Sequence, residues 1–299
     1  MGLVVVGSVA LDDIEAPAGS VKAVLGGAAS YCSVASSYFV RTQAVGVTGD
    51  DFPREHLDFL ASRGIDLAGV TRAQGRTFRW GGRYHASLNQ RDTLFTELGV
   101  FERFDPVLPP EYLDAEWVFL ANIHPRLQRG VLEQVRAPRF SAMDTMNFWI
   151  EGSRAELEKT LARVDGLVIN DDEARQLTGE SNLMRAADAI RALGPTTVIV
   201  KRGEHGALLF DEAGVFAAPA FPLREVQDPT GAGDSFAGGF MGSLAAGGSL
   251  TADALRRAVI HGSVLASFCV ERFSLDRFRT LTRAEIDERF EQFRRLTRF

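Results

Sequence analysis

The sequence predicts an α/β fold, a three-layer sandwich on a mainly parallel central sheet. Three observations carry this expectation. Short β-branched runs alternate with helical patterns, and several of the runs are apolar throughout, as strands covered on both faces must be. The 299 residues suffice for one large domain with a small satellite. Hydrophobic content of 45% and charged content of 24% are those of a globular protein.

"LVVV" (Leu3–Val6) opens the sheet, and Thr42–Val47, Glu116–Ala121, Arg139–Asp144, Gly166–Asn170 and Thr196–Lys201 continue it. Helical patterns lie between these strands at Ala28–Phe39, Pro53–Arg63, Arg126–Val135, Arg154–Arg163 and Met184–Leu193. "GALLF" and "GVFAAP" then read as a hairpin, and Gly233–Ala246, Thr251–Val270 and Arg283–Leu296 read as helices. Gly69–Asp92 breaks the rhythm. Rich in Arg, Thr, aromatics and Gly, it reads as short antiparallel strands that turn at Gly81–Gly82 and pair with "SVKAV" (Ser20–Val24). The chain is therefore expected to be one domain, 1–299, with a β-sheet lid from about 12–25 and 69–95. The lid would cover an active site, form a homodimer interface, or do both.

A net charge of −6, three lysines and scattered arginines exclude an electrostatic grip on nucleic acid or anionic membrane. No run approaches the roughly 18–20 apolar residues of a membrane span. The start of the chain lacks a basic signal region, so a cytoplasmic protein is expected. Cys32 and Cys269 sit in apolar helical patterns and read as buried free thiols.

The segment "DPTGAGDSFAGGF" (Asp228–Phe240) places one acid, Asp234, among glycines where a polar turn becomes an apolar helix. Gly231, Ala232 and Gly233 would offer main-chain N–H groups at a helix N-terminus, an anion site. Asp234 then either caps its helix, with small neighbours for packing, or acts as a base toward a hydroxyl while the amides stabilise a phosphoryl group. The P-loop pattern is absent, and the first strand carries a lone Gly7 in place of a dinucleotide fingerprint.

"DPTGAGDSFAGGF" resembles the C-terminal signature of the ribokinase-like carbohydrate kinase family, also called the phosphofructokinase-B family. Other segments fall in that family's order along nearly the whole chain. "GSVALDDI" resembles the loop whose acid binds substrate hydroxyls, which implies that role for Asp12, with Asp13 as the alternative. "LGGAASYCSVA" resembles the N-terminal Gly-Gly signature, with Gly26 and Gly27 approaching the substrate. "INDDEARQLTG" resembles the N-x-x-E motif, in which Asn170 and Glu173 would organise Mg²⁺ and its water shell, Asn170 also facing the nucleotide. A capped helix start accounts for the same residues. "VKRGEHGALLF" resembles the nucleotide loop, with Lys201, Gly203 and Gly206 near phosphates and ribose. The resemblance further places Thr230 at the nucleotide, His261 either beside the nucleotide base or as a satisfied or surface histidine, and Asp228, with Thr230, either at a monovalent cation such as K⁺ or in a turn begun by Asp-Pro. It implies MgATP as donor, a sugar, polyol or nucleoside as acceptor, and a β-sheet lid.

Two features depart from the pattern. Tyr31 stands where many sugar-phosphorylating relatives carry an asparagine, and would reshape the acceptor pocket. The lid offers Phe78, Arg79, Trp80, Arg83 and Tyr84, which would either meet an acceptor or build a dimer interface. Asn122, His124, Asn147 and Trp149 lie at strand ends and would line the pocket. The leading expectation is an ATP-dependent kinase of a small sugar or polyol. A nucleoside kinase and a catalytically silent sensing protein of the same fold are the alternatives.

Overall fold

The computed structural model describes residues 2–298. Its strands in chain order are β1 (Gly2–Val6), β2 (Ala10–Ala16), β3 (Gly19–Gly26), β4 (Arg41–Thr48), β5 (Asp66–Arg72), β6 (Phe78–Tyr84), β7 (Arg91–Glu97), β8 (Trp117–Leu120), β9 (Phe140–Asp144), β10 (Gly166–Asn170), β11 (Thr197–Lys201), β12 (Ala207–Asp211) and β13 (Gly214–Ala218). Nine of them form the central sheet in the order β13-β12-β11-β10-β9-β8-β1-β4-β5. Pairing is parallel throughout, except where β12 and β13 return as the expected hairpin.

Strand alternation divides the core into two layers. Leu3 and Val5 pack on one face with Tyr31, Phe240 and Phe268, from helices Ala28–Ser36, Ala232–Gly247 and Ala252–Cys269. Val4 and Val6 pack on the other with Leu157, Leu177 and Ile190, from helices Arg154–Leu161, Asp171–Thr178 and Leu183–Arg191. Cys32 and Cys269 are buried free thiols in the first layer.

The second sheet has the order β3-β2-β6-β7. Its β2–β3 and β6–β7 pairs are antiparallel, and β2 and β6 run parallel. Two details differ from expectation. Residues 69–72 belong to β5, which pairs with β4 at the edge of the central sheet, so the lid's second part begins at Phe78. Gly81 and Gly82 are not a turn; they lie inside β6, at a register shift against β7. The rings of Phe95 and Trp80 cover them, and a Cβ at either position would overlap those rings. The chain reverses instead between Tyr84 and Arg91.

Within the helix Ala232–Gly247, small residues let three helices approach. A Cβ on Gly238 would overlap the Cys32 carbonyl, and one on Gly242 would press on Ser36, both in the helix Ala28–Ser36. Gly130, inside the helix Pro125–Gln134, has nothing within 4 Å of such a Cβ. Gly238→Val should therefore destabilise the fold by about 1–3 kcal/mol or more. Gly130→Ala should stabilise it by about 0.5–1 kcal/mol through helix propensity. Urea midpoints for both variants check this contrast; equal midpoints would contradict the packing argument.

Candidate active site

The carboxyl ends of β8, β9, β10 and β11 lie side by side, where open α/β sheets bind ligands. Asn122 follows β8, Asp144 ends β9, Asn170 ends β10 and Lys201 ends β11, with Asn170 directly opposite Lys201. Gln128 holds two of these ends together: its Nε2 donates to the carbonyls of Leu120, Ala121 and Asp144 at 3.0–3.1 Å. The helix Ala232–Gly247 points its N-terminus at this edge, and Lys201 Nζ would lie 2.8 Å from a Cβ on Gly233.

Gly231 is the N-cap, at φ 73°, a left-handed conformation that suits glycine. No side chain caps the helix, so Asp234 in its first turn does not serve as the cap. The main-chain donors differ from expectation in one respect. Ala232 N–H is already spent on the Pro229 carbonyl at 3.2 Å, closing a turn. Among the described residues, Gly231, Gly233 and Asp234 keep their N–H groups free of such bonds.

Burial pushes the Asp234 carboxyl above its ordinary range, opposed by the positive charges of Lys201 and Arg91. Asp12 is 4% exposed and pushed up to about 8, first by burial and then by the charges of Asp228 and Asp234. The strand β2 separates the two neighbouring acids, because alternation sends them to opposite faces. Asp13 turns to the lid, where its Oδ1 accepts from Ala23 N–H at 2.9 Å and Arg79 Nη2 at 3.1 Å. Asp12 faces the site, lying directly over Gly26, where a Cβ would overlap its carboxylate. Gly26 thus makes room for Asp12. Gly27, next to it, has φ 93° and starts the helix Ala28–Ser36.

A cavity of about 490 Å³ opens on the other side of the anion loop. Lys201, Gly203, Gly206 and Gly233 line it, as the nucleotide expectation requires. Phe221, Phe236, Ala266 and Val270 give it an apolar end, sized for a flat ring system. Four residues expected at the nucleotide, Asn170, Thr230, Gly231 and His261, are not in its wall. His261 is 9% exposed and faces away: Ser243 Oγ lies 2.8 Å from its Nδ1 and Phe290 stacks on it at 4.4 Å. Helix phase explains this, since Ser263, Ala266, Ser267 and Val270 take the cavity face instead. Burial and the nearby Arg283 hold His261 down to about 4. Thr230 donates its hydroxyl to Tyr84 OH at 3.2 Å. Asn170 completes a capping box with Glu173: Asn170 Oδ1 accepts from Glu173 N–H at 2.7 Å, and Glu173 Oε2 accepts from Asn170 N–H at 3.0 Å.

Other expected residues have different duties. Tyr31 is 1% exposed and lies under Gly231, where a Cβ would overlap its ring; it supports the anion loop from below. Asp228 is fully buried, with Oδ1 accepting from Thr230 N–H at 2.8 Å and Oδ2 from Ser274 N–H at 3.0 Å, so both oxygens anchor main chain. Asn122 Oδ1 accepts from Trp149 Nε1 at 2.9 Å, so the two strand-end residues are locked together. Arg79 and Arg83 pair with Asp13 and Glu15 across the lid sheet.

Two residues escaped the sequence reading. Asp144, 5% exposed with Oδ1 unpartnered, is pushed well above the carboxylate range by burial and by the Asp234 charge, with Lys201 opposing. Its position as the last residue of an apolar run was the available signal. Arg91 stands at the start of β7, and nothing in its polar surroundings set it apart in the sequence.

With this geometry in view, the likeness to known proteins is informative. The sequence matches the pfkB family carbohydrate kinase over residues 2–277. It is 33% identical over 256 residues to a cytidine kinase of Thermococcus kodakarensis, covering 83% of this chain and 90% of that one. Its fold is similar to that of a Burkholderia thailandensis nucleoside kinase solved in complex with inosine: TM-score 0.77, 21% identity, 97% and 98% of the two chains covered. It is likewise similar to a Salmonella enterica aminoimidazole riboside kinase solved with aminoimidazole riboside and an ATP analog, with TM-score 0.75, 21% identity and coverage of 98% and 99%. By family match, sequence identity and a shared three-layer α/β fold with a small second sheet, the chain belongs to the pfkB family of carbohydrate kinases.

Proposed function

We propose that the protein transfers the γ-phosphoryl group of ATP to a hydroxyl of a nucleoside, with Asp234 as general base. The observation that carries this reading is Asp234 itself. It is an uncapping carboxylate in the first turn of a helix, beside free main-chain N–H groups and Lys201, with Asp12 close enough to feel its charge. The acceptor O–H gives its proton to Asp234 while its oxygen bonds to the γ-phosphorus. The bond from that phosphorus to the β–γ bridging oxygen breaks, ADP leaves with the electron pair, and Asp234 returns the proton to solvent. The amides of Gly231 and Gly233 and the Lys201 ammonium meet the charge on the moving group.

The nucleoside class rests on the cytidine kinase relative. A free sugar or polyol is the second reading, since Asp12 would accept from vicinal hydroxyls of either. A panel of nucleosides and sugars assayed for ADP release separates them. Mg²⁺ fits as a hydrated ion. Among the described residues no three His, Cys, Asp or Glu side chains form a metal cage, and Mg²⁺ prefers one or two carboxylates plus phosphates. Asp144 and the Glu173 oxygen outside the capping box would hold its water shell, and the ion would neutralise donor phosphates.

Asp234 must be ionised to act, and burial raises its pKa, so kcat should fall on acidification with a midpoint above the ordinary carboxylate range. Asp234→Asn should cut kcat by at least ~10² while leaving ATP affinity nearly unchanged. Steady-state kinetics with calorimetric ATP binding test this; near-normal turnover would remove Asp234 from the mechanism.

Asp12 yields a separate prediction. Its folded value of about 8 lies above the ordinary 3.8, so the stability it gains from holding a proton is complete below 3.8 and lost as pH rises through about 8. A diol donating two O–H groups favours the ionised form. Acceptor binding at pH 7 should then release about one proton, and the calorimetric enthalpy should vary with the buffer's ionisation enthalpy. Asp12→Asn should abolish that dependence. An enthalpy indifferent to buffer would place the acceptor elsewhere.

A further inference from the structure

The apolar end of the 490 Å³ cavity has one wall with little anchorage of its own. Ala220, Phe221, Pro222 and Leu223 form it, in the stretch between β13 and the helix Ala232–Gly247 that is neither helix nor strand. Among the described residues, 219–226 make no main-chain-to-main-chain hydrogen bond. Of these residues, Phe221 alone packs against a core cluster. The position of the wall therefore depends on what holds the Phe221 ring.

Two side chains of the helix Arg283–Leu296 hold it. The Phe293 ring lies 5.4 Å away, centre to centre, and the Arg289 guanidinium lies 4.8 Å from the Phe221 ring centre. Four residues apart, these two project from one side of the helix. Arg289 also grips the facing wall. Its Nη1 donates to Ser267 Oγ at 3.1 Å, and its guanidinium stands 3.5 Å from the centre of the Phe268 ring. Ser267 and its neighbour Ala266 line the cavity. Arg289 Nη2 donates to Glu271 Oε1 at 2.7 Å, and the other oxygen of Glu271 accepts from Arg277. The Arg289 side chain is only 15% exposed.

Arg289 itself is not in the cavity wall; it reaches the apolar end through Phe221 and Ser267. A planar cation against two aromatic rings, hydrogen-bonded at both ends, is a stiff brace. A wall already in position lowers the ordering cost when a ring enters. The brace comes from a helix beyond residues 2–277, the part of the chain that the family match spans.

We propose that Arg289 is a positioning residue for the base of the phosphoryl donor: by joining Phe221 to Ser267 it fixes the width of the apolar end of the cavity. The helix Arg283–Leu296 thereby sets donor affinity through the base and leaves the phosphates to the anion loop. This inference rests on the reading of the cavity as the donor site.

The test compares Arg289→Met, Arg289→Lys, Glu271→Gln and the control Arg283→Ala. It reads calorimetric affinities for ATP, ADP and inorganic tripolyphosphate, with kcat and both KM values for an acceptor that the unmutated protein turns over. Arg289→Met should weaken ATP and ADP equally, about tenfold, and leave tripolyphosphate unchanged. The KM for ATP should rise by the same factor, while kcat and the acceptor KM stay within about threefold. Arg289→Lys keeps the charge and loses the planar fork, so it should restore little. Glu271→Gln should show a smaller loss of the same base-dependent kind, and it carries the comparison if Arg289→Met does not fold. Arg283→Ala removes an exposed pair with Asp287 on the same helix and should change none of the affinities. The proposal is overturned if Arg289→Met binds ATP within about threefold of the unmutated protein, or if tripolyphosphate weakens as much as ATP. An unmutated protein that binds ATP and phosphorylates no acceptor would end the kinase reading alone, and the comparison of ATP with tripolyphosphate would still decide the role of Arg289. An unmutated protein that binds no ATP would overturn both.

Discussion

The site is governed by the cost of holding four carboxylates, Asp12, Asp144, Asp228 and Asp234, out of water in one corner of the molecule. Carboxylates so placed repel one another and lose hydration, and each must be compensated or protonated. The compensation is divided in a way that sorts them by role. Asp228 takes two main-chain N–H groups and becomes a structural anchor for the anion loop. Asp12 keeps a proton until something better donates to it. Asp144 and Asp234 share the field of Lys201. Only Asp234 combines partial exposure with neighbouring free N–H groups, and that combination is what a base in phosphoryl transfer needs.

The fold supplies this corner by stacking constraints. Parallel strands end together, so Asp144, Asn170 and Lys201 arrive at one edge without any loop having to reach for them. Gln128 ties two of those ends, and Tyr31 lies as a plate beneath Gly231. The glycine-rich signature serves both purposes that its composition allows. Gly231 and Gly233 leave main-chain N–H groups free at the start of the helix Ala232–Gly247, whereas Gly238 and Gly242 let that helix press on the helix Ala28–Ser36. The two halves of the segment answer to different constraints a turn apart.

Much of this was legible in the amino acids. The apolar runs at Leu3–Val6, Gly166–Asn170 and Thr196–Lys201 carry the pattern expected of strands covered on both faces, and they fold so within a residue. β5 was missed because an edge strand with exposed residues carries no apolar run. Gly81–Gly82 reads as a turn by default, and nothing local shows that Trp80 and Phe95 need the space. Only the family resemblance favoured Asp12 over Asp13 in the sequence; strand pairing gives each a separate face. Tyr31 lies under Gly231 and His261 is held by Ser243 and Phe290, placements that spacing along a helix does not fix, because its phase relative to neighbours comes only from tertiary packing. Asp144 and Arg91 are defined by what surrounds them in space, from β10, β11 and the helix Ala232–Gly247.

The central claim is that Asp234 removes a proton and never carries the phosphoryl group itself. The stereochemical course at phosphorus tests it most directly, using ATP made chiral at the γ-position with oxygen isotopes and an acceptor that the unmutated protein turns over. A single in-line displacement by the acceptor oxygen predicts inversion. Retention would mean two successive displacements through a phosphorylated side chain, and would contradict the account.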